Sequence, residues 1–238
     1  CHCLAVIEGD EVALVDTGIG LLDCRKPDER LGRELIEEAG FRFDEARTAV
    51  RQLEANGFSA DQVSDIVLTH ADPDHTGGLA DFPDAHVHIA SEEHAAVHAG
   101  DSRYCATHFD HGPHWIKHAP SNDAWHGARA RRVNVCGGVR THLVELFGHT
   151  AGHCGVAIPQ GDGWLLHVGD AYYLRAELDE EEHPVRALAE FRAHDNDKRL
   201  ASLETLRRIR GELGPGLQMT GYHDEAEWEP FRDGSSLR

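Results

Sequence analysis

Short apolar runs separated by polar, glycine-marked breaks run the length of the chain, and their period sorts them into strands and helices. Leu4-Ala5-Val6-Ile7 and Val12-Ala13-Leu14-Val15, separated by Gly9-Asp10, read as two strands of a hairpin. Arg30 to Ala39 and Asp44 to Asn56 carry apolar residues at helical spacing, with Gly40 and Gly57 as stops. Ser59-Ala60-Asp61-Gln62 has the form of a capping box, and Val63 to Thr69 returns as a strand. Further strands are predicted over Ala85 to Ala90, which leads into a helix from Ser91, and over Leu143 to Leu146, Trp164 to Val168 and Leu217 to Tyr222. Strands interleaved with helices make the chain α/β.

The polar breaks are as informative as the runs. Four strands end in residues able to bind metal: His70-Ala71-Asp72-Pro73-Asp74-His75, Gly148-His149-Thr150-Ala151-Gly152-His153, Gly169-Asp170 and His223-Asp224. Functional groups of α/β sheets gather in such loops. With no Pro/Gly/Ser-rich linker visible, residues 1–238 read as a single domain, with an irregular segment over 100–132 lying across the site. The abrupt start at Cys1, inside a strand-like stretch, predicts that a first strand is missing.

Composition narrows the partners. The 42 acidic and 23 basic residues leave a net charge of −19, which repels polyanions, so nucleic acid is a poor substrate and a neutral or cationic small molecule a better one. The tight basic cluster Arg129, Arg131 and Arg132 reads as a solvated loop. No apolar run approaches the roughly 20 residues of a membrane span. Six scattered cysteines without a C-x-x-C pair, and no visible signal peptide, predict a reduced, cytoplasmic protein. The 19 histidines exceed ordinary usage and direct the search to metal. Most of them, including His86, His88, His94, His98, His108, His111, His114 and His118, are expected at the surface.

The His70–His75 loop packs four potential ligands into six residues. A short loop fans its side chains, so His70 and Asp72 can face one metal while Asp74 and His75 turn to a second. Gly77-Gly78 lets the backbone turn into a helix without a Cβ clash.

From Val15-Asp16-Thr17-Gly18, through His70-Ala71-Asp72-Pro73-Asp74-His75 and Gly148-His149-Thr150-Ala151-Gly152-His153, to Gly169-Asp170 and His223, the order of motifs resembles the metallo-β-lactamase superfamily. The resemblance implies an αββα sandwich of two mixed β-sheets flanked by helices, with the site along one edge. It places His70, Asp72 and His149 on a first metal, Asp74, His75 and His223 on a second, and Asp170 between them; Asp16 would support the site through hydrogen bonds, and His153 would orient the His149 loop. The implied cofactors are two divalent ions, zinc first, with iron or manganese as alternatives. The implied activity is hydrolysis by a metal-bridging hydroxide, with Asp74 also moving a proton.

Asp170-Ala171-Tyr172-Tyr173 and His223-Asp224 resemble the acyl-homoserine lactone lactonases of that superfamily. By that likeness Tyr173 is a candidate oxyanion donor, worth about 2 to 4 kcal/mol if correctly aimed; a packed aromatic is the equal alternative. A small-molecule lactone or ester is the expected substrate. The aromatic segment Tyr104 to Trp125 is a candidate pocket wall, surface loop or contact of a homodimer. The departure is Asp72, where the family usually has a second histidine. A third carboxylate weakens the metals as Lewis acids and favours harder ions. Either Asp72 ligates, or its shorter reach leaves the first site weak or remodelled. A carboxylate at this position also resembles the flavodiiron proteins, which keeps open an oxygen- or nitric-oxide-reducing alternative, alongside that of a catalytically silent metal-binding protein.

Overall fold

The computed structural model describes residues 1–180 and 182–228. Clustering of contacts divides the chain into two compact units. One holds Cys3–His118 and Asn134–Val139; the other holds Cys1–His2, Ala119–Val133 and the residues from Arg140 onward. Each carries its own sheet.

In the amino-terminal unit the sheet order is β1 (Leu4–Glu8), β2 (Glu11–Val15), β3 (Val63–Val67), β4 (His86–Ala90) and β5 (His114–His118). β1 and β2 form the predicted hairpin, Glu8 opposite Glu11. The remaining pairs are parallel. Parallel strands are covered on both faces and therefore read as continuous apolar runs, as in β2, where Val12 to Val15 are all buried. The core beneath them is built from Val12, Leu14, Ile66, Leu68, Leu79, Phe82, Val87 and Ile89.

The helices of this unit are α1 (Leu21–Arg25), α2 (Pro27–Arg30), α3 (Arg33–Ala39), α4 (Ala49–Ala55), α5 (Pro73–Thr76) and α6 (Ser91–His98). The helix expected over Arg30 to Ala39 is split, because Gly32 takes φ 78° between α2 and α3. The Ser59 capping box forms, with the Ser59 backbone N–H donating to Gln62 Oε1 at 2.9 Å. Residues 100–132 contain β5, β6 (Ala124–Trp125), a 3-10 turn at Ala106–Phe109 and the first residues of β7 (Ala128–Val135).

The second sheet runs β11 (Leu217–Thr220), β10 (Gly163–His167), β9 (Cys154–Gln160), β8 (Val139–Glu145), β7 and β6. β8, β9 and β10 pair antiparallel, and β11 joins β10 in parallel with His167 opposite Thr220. Its helices are α7 (Ala176–Asp179), α8 (Val185–Arg192), α9 (Asn196–Leu213) and α10 (Glu225–Trp228). Asp195 caps α9 by accepting from the Lys198 N–H at 3.1 Å, and Leu203, Leu206 and Ile209 form its buried stripe.

Two expectations are corrected here. The Arg129–Arg132 cluster lies on β7, which exposes Arg129 and Arg132 and buries Arg131. Arg131 donates to Glu145 at 2.8 Å. Of the alternatives for the aromatic segment, a packed loop fits: Trp125 lies in the core of the carboxyl-terminal unit and Tyr104 in that of the other, against which Phe109 and Trp115 pack partly buried. His88 and His108 are buried rather than at the surface. His88 lies between Asp65 Oδ1, 2.9 Å away, and His118 Nε2, 3.0 Å away, while His108 Nδ1 reaches Thr76 Oγ1 at 2.9 Å. Among the described residues no helix is long and apolar enough to cross a membrane.

Candidate metal centre

The amino-terminal unit presents His70, Asp72, Asp74 and His75 just beyond β3. Pro73 starts α5 at a position where its missing N–H costs nothing, and the helix lasts one turn. His70 Nε2 lies 3.5 Å from Asp72 Oδ2, and His75 Nε2 lies 3.7 Å from Asp74 Oδ2. The two imidazoles are close together, with ring centroids 4.0 Å apart.

The other nitrogen of each ring is engaged, which fixes where Nε2 points. Thr69 Oγ1 is 3.0 Å from His70 Nδ1, and Asp16 Oδ2 is 2.8 Å from His75 Nδ1. A carboxylate behind an imidazole orients the ring and raises its basicity toward a metal. Asp16 also accepts from the Thr69 N–H and hydroxyl, both at 2.8 Å. It does so from a left-handed backbone, φ 56°, which Asp tolerates better than most residues. Asp16→Ala removes all three bonds. It should lower metal affinity about 10- to 100-fold and stability by about 2 to 3 kcal/mol, read as metal retained after dialysis and as a thermal midpoint. Wild-type retention would mean that Thr69 alone orients His75.

Gly77 and Gly78 are required because a Cβ at either would clash, as expected. Gly77 has an ordinary helical φ of −56°. The constraint is space: a Cβ on Gly77 would lie 2.1 Å from Asp23 Oδ2, and one on Gly78 would lie 2.7 Å from the Thr17 carbonyl.

The carboxyl-terminal unit presents His149, Asp170, Tyr173 and His223. Asp170 Oδ2 stands 3.6 Å from His149 Nε2 and 3.1 Å from His223 Nε2. His153 Nδ1 donates to the Leu146 carbonyl at 2.9 Å, and its Nε2 accepts the Asp170 N–H at 3.0 Å, so it ties the two loops together as a structural residue. The Tyr173 ring stacks on His223 with centroids 5.1 Å apart and meets His149 edge-on at 6.0 Å.

Further residues hold these loops, and the motif pattern did not disclose them. Buried Glu93, on α6, accepts the Ala71 N–H at 2.9 Å and the Tyr104 hydroxyl at 3.1 Å. Glu177 accepts the Tyr173 N–H at 2.8 Å and pairs with buried Arg199 at 3.0 Å. Glu227 accepts from the Tyr172 hydroxyl, Arg175 and the Gly221 N–H, and burial pushes its carboxyl up. Arg103 grips Asp72 with both arms of its guanidinium, Nε to Oδ1 at 2.5 Å and Nη2 to Oδ2 at 2.6 Å. The one signal for it was indirect, since a carboxylate in place of a neutral imidazole requires a counter-charge.

The donor chemistry fits divalent cations. Imidazole nitrogens and carboxylate oxygens bound at about 2.1 Å around a tetrahedral ion stand roughly 3.4 Å apart. Within each unit the pairs above span 3.1 to 3.7 Å.

A family model described as the metallo-beta-lactamase superfamily matches residues 1–213. The chain is 42% identical over 186 residues to "Probable metallo-hydrolase Rv2300c" of Mycobacterium tuberculosis, covering 75% of this chain and 59% of the relative. It thus spans about three fifths of that protein. It is 29% identical over 197 residues to the N-acyl homoserine lactonase AttM of Rhizobium johnstonii, covering 80% of this chain and 69% of the relative. Among solved structures, an N-acyl homoserine lactone hydrolase with N-hexanoyl-L-homoserine product at its catalytic metal center superimposes with a TM-score of 0.72. It shares 22% identity, with 97% of this chain and 83% of that one covered.

Proposed function

The chain belongs to the metallo-β-lactamase superfamily, and from that premise we propose that it is a binuclear metal-dependent hydrolase acting on a lactone or ester of a small molecule. His70, Asp72, Asp74, His75, His149, Asp170 and His223 would hold two divalent ions, with zinc the leading candidate. The observation that carries the reading is Asp170, whose Oδ2 lies at chelate spacing from both His149 and His223. Bound there, divalent cations supply a nucleophile at neutral pH and polarise a carbonyl.

The protein's own groups divide the remaining work. Asp16 and Thr69 hold the imidazoles in a single orientation. Asp74, the more exposed carboxylate of its loop, would take a proton from the attacking water and return it to the leaving alkoxide. Tyr173, between His149 and His223, would donate its hydroxyl to the developing oxyanion. The lactonase activity named for AttM and for the superimposed hydrolase favours a lactone within this class.

The test is ring opening of N-acyl homoserine lactones and simple esters, followed by acid release, with metal content measured in parallel. Chelation should abolish turnover and added zinc, manganese or iron should restore it. A protein that retains no metal and opens no lactone or ester sinks the reading. Tyr173→Phe should lower kcat about 100-fold with little change in KM. An unchanged kcat would reduce Tyr173 to a packing role.

A further inference from the structure

Asp72 is nearly buried and both of its oxygens are committed to Arg103 in a parallel, two-pronged ion pair. The Arg103 side chain is only 16% exposed, and its own N–H is fixed by Asp101 Oδ1 at 2.9 Å. The guanidinium is therefore an ordered part of this loop cluster. A neutral histidine at position 72 would have required no such partner. With aspartate there, the added negative charge is matched by a permanent positive one, and the oxygen nearest His70, Oδ2 at 3.5 Å, is the oxygen that Nη2 occupies.

We propose that Arg103 makes metal loading unequal: the ion held by Asp74, His75 and His223 binds tightly, whereas the ion at His70 and Asp72 must compete with the guanidinium and binds weakly. This inference rests on the binuclear reading above. Two routes are open to a cation arriving at His70. It can share Asp72 with Arg103, bringing a dication within a few ångströms of a fixed positive charge, or it can break the ion pair and leave that charge in a largely desolvated place. Both weaken the first position. At such a distance, even with strong screening, a unit charge changes the affinity of a dication by at least about tenfold.

The test is a titration of metal-stripped protein with Zn2+ in competition with a chromophoric chelator, repeated with Co2+ and followed by its visible absorption. The wild type should take up one equivalent tightly and a second at least about tenfold more weakly. Arg103→Gln should strengthen the second equivalent tenfold or more and leave the first unchanged. Arg103→Lys, which keeps the charge and loses the fork, should leave the second weak. Two equivalents of equal affinity in the wild type would overturn the inference whether or not the variants fold, and so would a folded Arg103→Gln protein with an unaltered second equivalent. Failure of the wild type to bind any metal would overturn the binuclear reading itself, a distinct outcome.

Discussion

Asp74→Asn should lower lactone or ester turnover by at least about 1000-fold while leaving the far-UV circular dichroism unchanged. The expected loss combines two effects of one substitution. The amide retains the shape of the side chain but gives up its charge, so the ion proposed to be held by Asp74 would lose an anionic donor. It also gives up the proton acceptor, a role worth about 10²- to 10⁴-fold by itself. Asp74 sits in the first turn of α5 and is considerably more exposed than His70 or His75, so its loss should cost little stability. Metal analysis separates the two effects. A variant that keeps its metal and still loses 1000-fold assigns the defect to proton transfer; loss of one equivalent assigns it to ligation. Turnover within tenfold of wild type, at full metal content, would remove Asp74 from the mechanism.

Gly148→Ala is expected to be the most damaging single methyl group in the carboxyl-terminal unit. Gly148 has φ 130°, a conformation open almost exclusively to glycine, and a Cβ there would lie 2.1 Å from the Arg199 nitrogen and 2.5 Å from its Cα. The obstacle is the backbone of α9, which cannot turn aside as a side chain could. The same corner is fastened by the Asp195 N–H to the Gly148 carbonyl at 2.9 Å, the His194 N–H to the His149 carbonyl at 3.0 Å, and the Ser202 hydroxyl to the Phe147 carbonyl at 2.7 Å. Strain and overpacking together should cost about 4 kcal/mol, a fall of roughly 8 to 16 °C in the thermal midpoint. Gly161→Ala is the control. Its φ of 55° is also left-handed, but the space around it is open, so about 1 kcal/mol is expected. Equal losses for the two variants would show that backbone conformation, and not the approach of α9, limits position 148.

These cases mark what could and could not be read from the chain. The β1–β2 hairpin, the Ser59 capping box and the strand leading into His70 are local: apolar period, turn residues and caps suffice, and the structure has all three. The candidate donors could be picked out for a similar reason, because each follows a strand and their order along the chain resembles that of a family. Arg103, Glu93 and Glu177 were not. Each acts on a residue distant in sequence, Arg103 on Asp72, Glu93 on Ala71 and Glu177 on Arg199, and nothing in the local pattern distinguishes them from solvated charges. His88 and His108 failed for the converse reason. They were counted among the surface histidines, yet His88 is satisfied by Asp65 and His118. His108 is bonded to Thr76 and lies 3.2 Å from Asp23; although burial opposes it, the Asp23 carboxylate holds the imidazole above its usual range.

The parallel pairing of β10 with β11 sets a timetable for assembly. β8, β9 and β10 are joined by short antiparallel connections and can zip together as neighbours. β11 cannot be reached by a tight turn, and Thr220 meets His167 only after α7, α8 and α9 have been laid down as a crossover. The entropy of closing that long loop is lost before any strand contact repays it. His223, three residues beyond the end of β11, is therefore the last donor of its unit to arrive. If these residues hold metal as proposed, stopped-flow refolding should show the capacity to retain zinc returning after the far-UV circular dichroism, and simultaneous recovery of the two would remove the lag.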